Sequence, residues 1–501
     1  MRVPGIILLQ QKIANKMLKQ RIFTGIKWNT LAFTSRASNQ IFQLLLITHY
    51  LLPRDMGVLA IAFALFSFIQ SFSDGGVSQA IFHYQQLRNE QLRQLYWFNL
   101  LIAALLAACL ILLSPLAALL YQSPELSSLI TILAVILIIN ASSQQLKILA
   151  QKNLNFSILA KIEIFSNTSG LLSTYIGLSL NLGIYSPIVG LLTTGICTSV
   201  SSWIFIKPEW KLRGQINFKS IQEPIYFGKN ILISNLIDTL NSRLDVLLGG
   251  ILLNHVGIGL YSLAKDINLR ISSIINPIVT QTTLPVMAIL QNNPLALQSL
   301  YYRTLQLTSS ISIPIYGIVF LHGHDIITLL FGENWLAMLP LLKILSLWGM
   351  LNAIGNPIGN LLIAKGETLL AVKWNIGLAF FTIIMVAIGA SFNVFQLALA
   401  ITLLFSLSYI PSWYFLVKPL CGLSFMNFTK ALFTPLVLAI ISGFISHTLT
   451  FDIKAEIIHL IVGILIFGTT YIMLSYRYNS YWLHIARDFI IHHKGKKICV
   501  A

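Results

Sequence analysis

Fourteen times along these 501 residues, about twenty mostly apolar residues pass before the next cluster of charge. The stretches are 29–51, 57–77, 97–120, 126–146, 158–180, 183–206, 231–253, 256–278, 305–321, 336–364, 374–390, 394–417, 431–449 and 457–476. Each is long enough to cross the roughly 30 Å hydrocarbon core of a bilayer as a helix. A chain that repeats this has one compact solution, because lipid offers nothing to bond an open backbone. The expected fold class is therefore an all-α integral membrane protein of about 14 transmembrane helices.

Composition agrees. Hydrophobic types make up 56% of the chain and charged residues 10%, against roughly 25% charged in soluble domains. A soluble enzyme, a disordered chain and a secreted disulfide scaffold are all excluded. The four cysteines, Cys109, Cys197, Cys421 and Cys499, show no paired spacing that would hold zinc or a disulfide framework. The basic N-terminus lacks a compact apolar run followed by a small-residue cleavage site. It is expected to be a retained amphipathic segment.

The net charge is +17, with 33 Lys and Arg against 16 Asp and Glu. Such an excess suggests nucleic acid in a soluble protein, but here its placement gives another reason. With the N-terminus inside and spans alternating, 25 of the 33 basic residues fall in inside segments. Outside segments hold only Arg54 and Lys454. Acidic residues are spread evenly. This is the positive-inside pattern. It predicts cytoplasmic termini and removes nucleic acid as a partner.

Outside connections are short, and the longest inside connection, 207–230, divides the first twelve spans into six and six. The expected organisation is a basic N-terminal segment (1–28), a six-helix bundle (29–206), a linker (207–230), a second six-helix bundle (231–417), two additional helices (418–476) and a basic tail (477–501). A weak echo supports duplication. L-L-P-R-D-M-G from Leu51 and L-L-N-H-V-G from Leu252 are both tight polar turns before a new span. Pro340 and Pro357 predict a kink in the tenth span, and the eighth is open to continuation past Pro277.

Eleven ionisable residues lie within spans: Arg36, Asp74, Lys161, Glu163, Asp238, Arg243, Asp245, Lys265, Asp266, Arg270 and Lys343. Each costs roughly 2.5–3.5 kcal/mol to insert, so each needs a partner, a wet cavity or an interface. In an antiparallel hairpin, residues at equal depth have numbers that add to a constant set by the turn. By that test Asp238 matches Arg270, Arg243 matches Asp266, Asp245 matches Lys265, and Arg36 matches Asp74. Two readings stay open: neutralised pairs that serve packing, or a charged cavity that binds an anionic group. Lys161, Glu163 and Lys343 lie near span ends, where snorkelling to the interface also accounts for them.

Catalytic signatures are missing: no H-E-x-x-H, P-loop or G-x-S-x-G occurs. His322, His324 and Asp325 have a spacing that could suit a metal, but loop histidines usually bind none, so no metal site is expected.

The order of several short motifs resembles a known family. These are G-I-K-W-N-T (Gly25–Thr30), L-L-P-R-D-M-G (Leu51–Gly57) and F-S-D-G-G-V-S-Q-A-I (Phe72–Ile81). K-N-L-N-F (Lys152–Phe156), G-I-G-L-Y-S-L-A (Gly257–Ala264) and F-G-E-N-W (Phe331–Trp335) follow. Together they resemble the polysaccharide transporter family, and within it the colanic-acid-exporter-like branch of O-antigen flippases. That family belongs to the multidrug/oligosaccharidyl-lipid/polysaccharide (MOP) exporter superfamily. The resemblance covers roughly the first 365 residues; the last four spans match in hydropathy alone.

It implies two six-helix bundles around a central cavity plus two extra C-terminal helices. The implied activity is alternating-access flipping of undecaprenyl-diphosphate-linked oligosaccharide across a bacterial inner membrane, by a transporter and not an enzyme. Arg36, Arg243, Lys265 and Arg270 would attract the diphosphate. Asp74, Asp238, Asp245 and Asp266 would hold those bases between substrates, or couple to H+ or Na+. No other cofactor is expected. Expected partners are the lipid-linked substrate, membrane lipids, a polysaccharide polymerase and a chain-length regulator, with the chain itself a monomer. The alternatives are a multidrug/cation antiporter of the same superfamily, an O-antigen polymerase or ligase, and a lipid II flippase.

Overall fold

The computed structural model describes residues 4–84, 87–208, 210, 212, 221–453, 455–480 and 482–483. Among them every regular element is helical. The chain forms two compact units, 1–243 and 244–501. The division falls inside one helix and not in the 207–230 linker.

In the first unit the helices are α1 (Pro4–Tyr50), α2 (Pro53–Ser73), α3 (Val77–His83), α4 (Asn89–Leu120), α5 (Pro124–Lys152), α6 (Phe156–Ser179), α7 (Ser186–Phe205) and the first part of α8 (Gln222–Leu252). The α1 backbone is one helix of 47 residues, so the expected N-terminal segment and first span run on without a break. The Phe72–Ile81 motif is a helix break. Gly75 and Gly76 take φ of +53° and +76°, left-handed values that cost a side-chain-bearing residue about 1–2 kcal/mol. The span expected at 57–77 therefore ends at Ser73, and a short helix follows.

Small residues let α6 and α7 cross closely. A Cβ on Gly170 would stand 1.9 Å from Thr194 Oγ1 and 2.7 Å from the Gly190 carbonyl, and a Cβ on Gly190 would meet Thr174 and Gly170 at the same distances. Backbones this close replace lost hydrophobic drive with van der Waals contact, as small-residue crossings in membranes do.

The second unit holds the rest of α8 and α9 (His255–Ile289), α10 (Pro294–Leu321), α11 (Gly323–Leu330), α12 (Leu339–Lys365) and α13 (Thr368–Ala390). Then α14 (Val394–Leu407), α15 (Tyr409–Ser412), a π-helical turn (Trp413–Val417) and α16 (Lys418–Cys421) follow one another almost without interruption. Last come α17 (Phe425–Thr450) and α18 (Glu456–Tyr478). The α9 backbone does continue past Pro277. Pro340 falls in the first turn of α12, where its missing N–H costs nothing, and Pro357 lies in the helix interior.

The two C-terminal helices share the core of this unit: Phe467 and Tyr471 are buried in one cluster with Leu305, Ile313 and Leu438. Tyr471 Oη donates to the Ser310 carbonyl at 3.0 Å, and Ser446 Oγ donates to the Gly463 carbonyl at 2.9 Å.

Among the described residues, ten helices are long and apolar enough to cross a membrane. The other four expected spans lie on α1, α6, α8 and α9, of 47, 24, 31 and 35 residues. Their length suffices, since even α6 reaches about 36 Å. Together they carry nine of the eleven span charges singled out above, with a high share of Ser, Thr, Asn and Gln on α1 and α6.

Candidate functional site: a polar cavity in the first unit

Polar residues recur on one face of each helix that meets the interior of the first unit. On α1 these are Arg36, Asn39, Gln40 and Gln43; on α5, Asn140, Gln144, Lys147 and Gln151; on α6, Glu163 and Asn167; on α7, Thr194 and Thr198. Spacings of three, four and seven bring these side chains onto one stripe per helix. The stripes enclose a cavity of about 530 Å³ lined by Arg36, Lys147 and Glu163 among others. A second cavity of about 700 Å³ shares Gln144, Lys147, Thr194 and Thr198 with the first, and adds Asp74 and Asp238. Among the described lining residues, the first holds two bases and one acid, and the second one base and two acids.

The geometry corrects one expected pairing. Arg36 forms its ion pair with Glu163 on α6, not with Asp74. Asp74 follows the last residue of α2, and its carboxylate turns onto the start of α3. There it accepts from the Ser78 backbone N–H at 3.3 Å and from the Ser78 hydroxyl. Gln144 Nε2 also donates to it at 2.8 Å. Equal depth brought Arg36 and Asp74 level, but depth says nothing about azimuth, and the Gly75–Gly76 break gave Asp74 a nearer helix start to cap.

Asp245 and Lys265 do meet, as their depth predicts. Lys265 Nζ lies 2.6 Å from Asp245 Oδ2, and Tyr261 donates its hydroxyl to the same carboxylate. Lys265 is 4% exposed and its ammonium stands 5.4 Å from the Trp348 ring centre. It is thus a buried, committed cation. Asp266 and Arg270 sit one turn apart on α9. Asp238 and Arg243 stand on α8, within the first unit. Lys161 lies against Trp28 at 5.4 Å, and Lys343 against Phe320 at 5.8 Å.

Lys147 and the amides beside it were not singled out from the sequence, because the apolar run of α5 ends at residue 146. Glu163 was singled out only as a residue near a span end. The signal was available in the polar spacing of Asn140, Gln144, Lys147 and Gln151 across that end.

The chain is a multi-pass helical membrane protein with a charged cavity inside its first unit. Known proteins agree. The solved structure titled "Lipid II flippase MurJ, inward closed conformation" matches with a TM-score of 0.70 at 19% identity, covering 93% of this chain and all of that one. An inward-facing multidrug resistance transporter of the MATE family and MOP superfamily matches at 0.57 and 13% identity, covering 79% and 95%. The chain belongs to the family described as "Polysaccharide biosynthesis protein", whose model matches residues 46–340.

Relatives include an uncharacterized membrane protein of the cps region of Klebsiella pneumoniae, 28% identical over 84% of this chain and 87% of that one. The lipopolysaccharide biosynthesis protein WzxC of Escherichia coli K12 is 24% identical over 88% and 90%. The teichuronic acid biosynthesis protein TuaB of Bacillus subtilis is 28% identical over 72% and 74%.

Proposed function

We propose that this protein is a flippase that carries an undecaprenyl-diphosphate-linked oligosaccharide, such as an O-antigen, capsule or exopolysaccharide repeat unit, across the bacterial inner membrane by alternating access. The observation that carries the reading is the cavity of the first unit, where Arg36 and Lys147 share one lining with a run of amides and hydroxyls. A diphosphate needs cations and hydrogen-bond donors in a low-dielectric setting, and a sugar needs amides and hydroxyls. The likeness of fold to a lipid II flippase and the polysaccharide names of the relatives support the same substrate class.

Arg36 is held by Glu163 in the described state. An entering diphosphate competes with that carboxylate for the guanidinium, so the ion pair keeps the charge in place between substrates. Lys147 adds the second cation. Asp74 and Asp238, on the lining of the adjoining cavity, are the groups at which H+ or Na+ exchange would couple. Arg243 and Arg270 are further candidate cations for the diphosphate, and the buried Asp245–Lys265 pair positions helices. The distribution of basic residues supports cytoplasmic termini. Polymerase and chain-length regulator are the expected neighbours in the membrane, and the transporting unit is a single chain.

Deleting the gene tests the class. A flippase deletion traps lipid-linked repeat units in the inner leaflet. A polymerase deletion leaves single units exported, and an antiporter deletion changes drug sensitivity while export continues. Either of the last two outcomes overturns the reading.

A further inference from the structure

His322 closes α10 and is 3% exposed. Neither of its buried ring nitrogens finds a hydrogen-bond partner among the described residues. Such a group is uncommon in a folded interior and calls for an explanation. Its surroundings supply one. Asp325, in the first turn of α11 and 6% exposed, places Oδ2 3.6 Å from His322 Nδ1. His459, in the first turn of α18, places Nδ1 2.5 Å from that same oxygen. One ligand atom from each of the three lies within 4.8 Å of the others. The room is made by the backbone: a Cβ on Gly463, one turn along α18 from His459, would fall 2.2 Å from His322 Cε1.

We propose that His322, Asp325 and His459 form a binding site for a divalent transition-metal ion of the zinc type, which ties the α10–α11 corner to α18. Two imidazoles and one carboxylate are a ligand set suited to Zn2+ and poorly suited to Mg2+ or Ca2+, which favour all-oxygen shells. Around a tetrahedral ion with bonds of about 2.0–2.1 Å, ligand atoms stand about 3.3–3.5 Å apart. The His322–Asp325 spacing of 3.6 Å is slightly wider than this, and the His459–Asp325 contact needs to open by about 1 Å.

His324, half exposed and 3.6 Å from Asp325 Oδ1, stands at the rim where a fourth ligand or water completes the shell. The site draws on residues far apart in sequence that only the fold brings together.

The test uses the full chain purified in detergent, stripped with a chelator and titrated with ZnCl2 against a chromophoric competitor. One equivalent is expected to bind, and thermal unfolding is expected to move to higher temperature. Asp325→Asn and His459→Ala should each weaken Zn2+ binding about tenfold or more. Cys109→Ser and His49→Ala, at exposed positions outside the cluster, should not weaken it. Because His459→Ala removes packing too, His459→Cys serves as a ligand-preserving control. It should keep Zn2+ binding and change the visible spectrum of the Co2+-loaded protein through a new sulfur ligand. Absence of a stoichiometric Zn2+ site in the parent protein would overturn the proposal. So would affinity unchanged in Asp325→Asn and His459→Ala, or a Co2+ spectrum indifferent to His459→Cys.

Discussion

At the residue scale, two ion pairs carry different meanings. Asp245 and Lys265 are buried in contact with each other, with Tyr261 bonded to the carboxylate. Removing one partner leaves the other charge uncompensated, which typically costs about 3–5 kcal/mol. Asp245→Asn is expected to lower the unfolding temperature and the amount of protein in the membrane. The double change Asp245→Leu with Lys265→Met should recover most of that stability, since a well-packed apolar pair commonly matches a buried ion pair.

Arg36 and Glu163 are partly exposed to the cavity, with the Arg36 side chain 51% exposed. Their pairing contributes at most about 1 kcal/mol, so stability should barely respond to Arg36→Ala. Export should respond strongly. Exchanging the two, Arg36→Glu with Glu163→Arg, restores the pair yet moves the cation to α6. Protein level is expected to stay at the parental value, and export is expected to fall. Export at the parental rate would show that the pair serves packing alone.

At the element scale, the break between α2 and α3 and the crossing of α6 with α7 depend on glycine for different reasons. Gly76 needs its left-handed backbone, and Gly76→Ala is expected to cost about 1–2 kcal/mol through φ strain. Gly170 needs space. Gly170→Ala should destabilise even when Thr194→Ala is added, because the Gly190 carbonyl would still stand 2.7 Å from the new Cβ. Thermal unfolding in detergent measures both.

The elements also show where reading the sequence succeeded and where it stopped. Apolar run length placed the helices, since lipid leaves no other backbone solution. Depth matching found Asp245 with Lys265, whose helices α8 and α9 are joined by one tight turn. It failed for Arg36 because the true partner, Glu163, lies 127 residues away on α6. Lys147 was hidden by the end of an apolar run, although the polar stripe of α5 passes through that point. The His322–Asp325–His459 cluster was half legible. The loop residues stood together in sequence, and the third came from α18 by folding alone.

At the scale of the whole molecule, the sequence composition acquires a division of labour. Most of the positive charge lies outside the fourteen apolar stretches, at helix ends and in the segments that join them, where it fits the orientation of the spans. A small remainder lies within the expected spans, mostly on helices too polar to qualify as simple spans. On α1 and α6 that remainder, together with Lys147 of α5, lines one cavity in the first unit. The second unit buries its Asp245–Lys265 pair and builds a histidine-rich corner onto the two C-terminal helices.

Under the proposed function, Arg36 and Lys147 hold the diphosphate of a lipid-linked oligosaccharide in the cavity of the first unit. The direct measurement is the fraction of lipid-linked repeat units reachable from outside in spheroplasts, compared at equal membrane levels of parent and Arg36→Ala/Lys147→Ala protein. The double variant is expected to lower that fraction about tenfold or more, with the trapped units accumulating inside, as loss of two charge-assisted phosphate contacts implies. An outer fraction equal to that of the parent would overturn that role for Arg36 and Lys147.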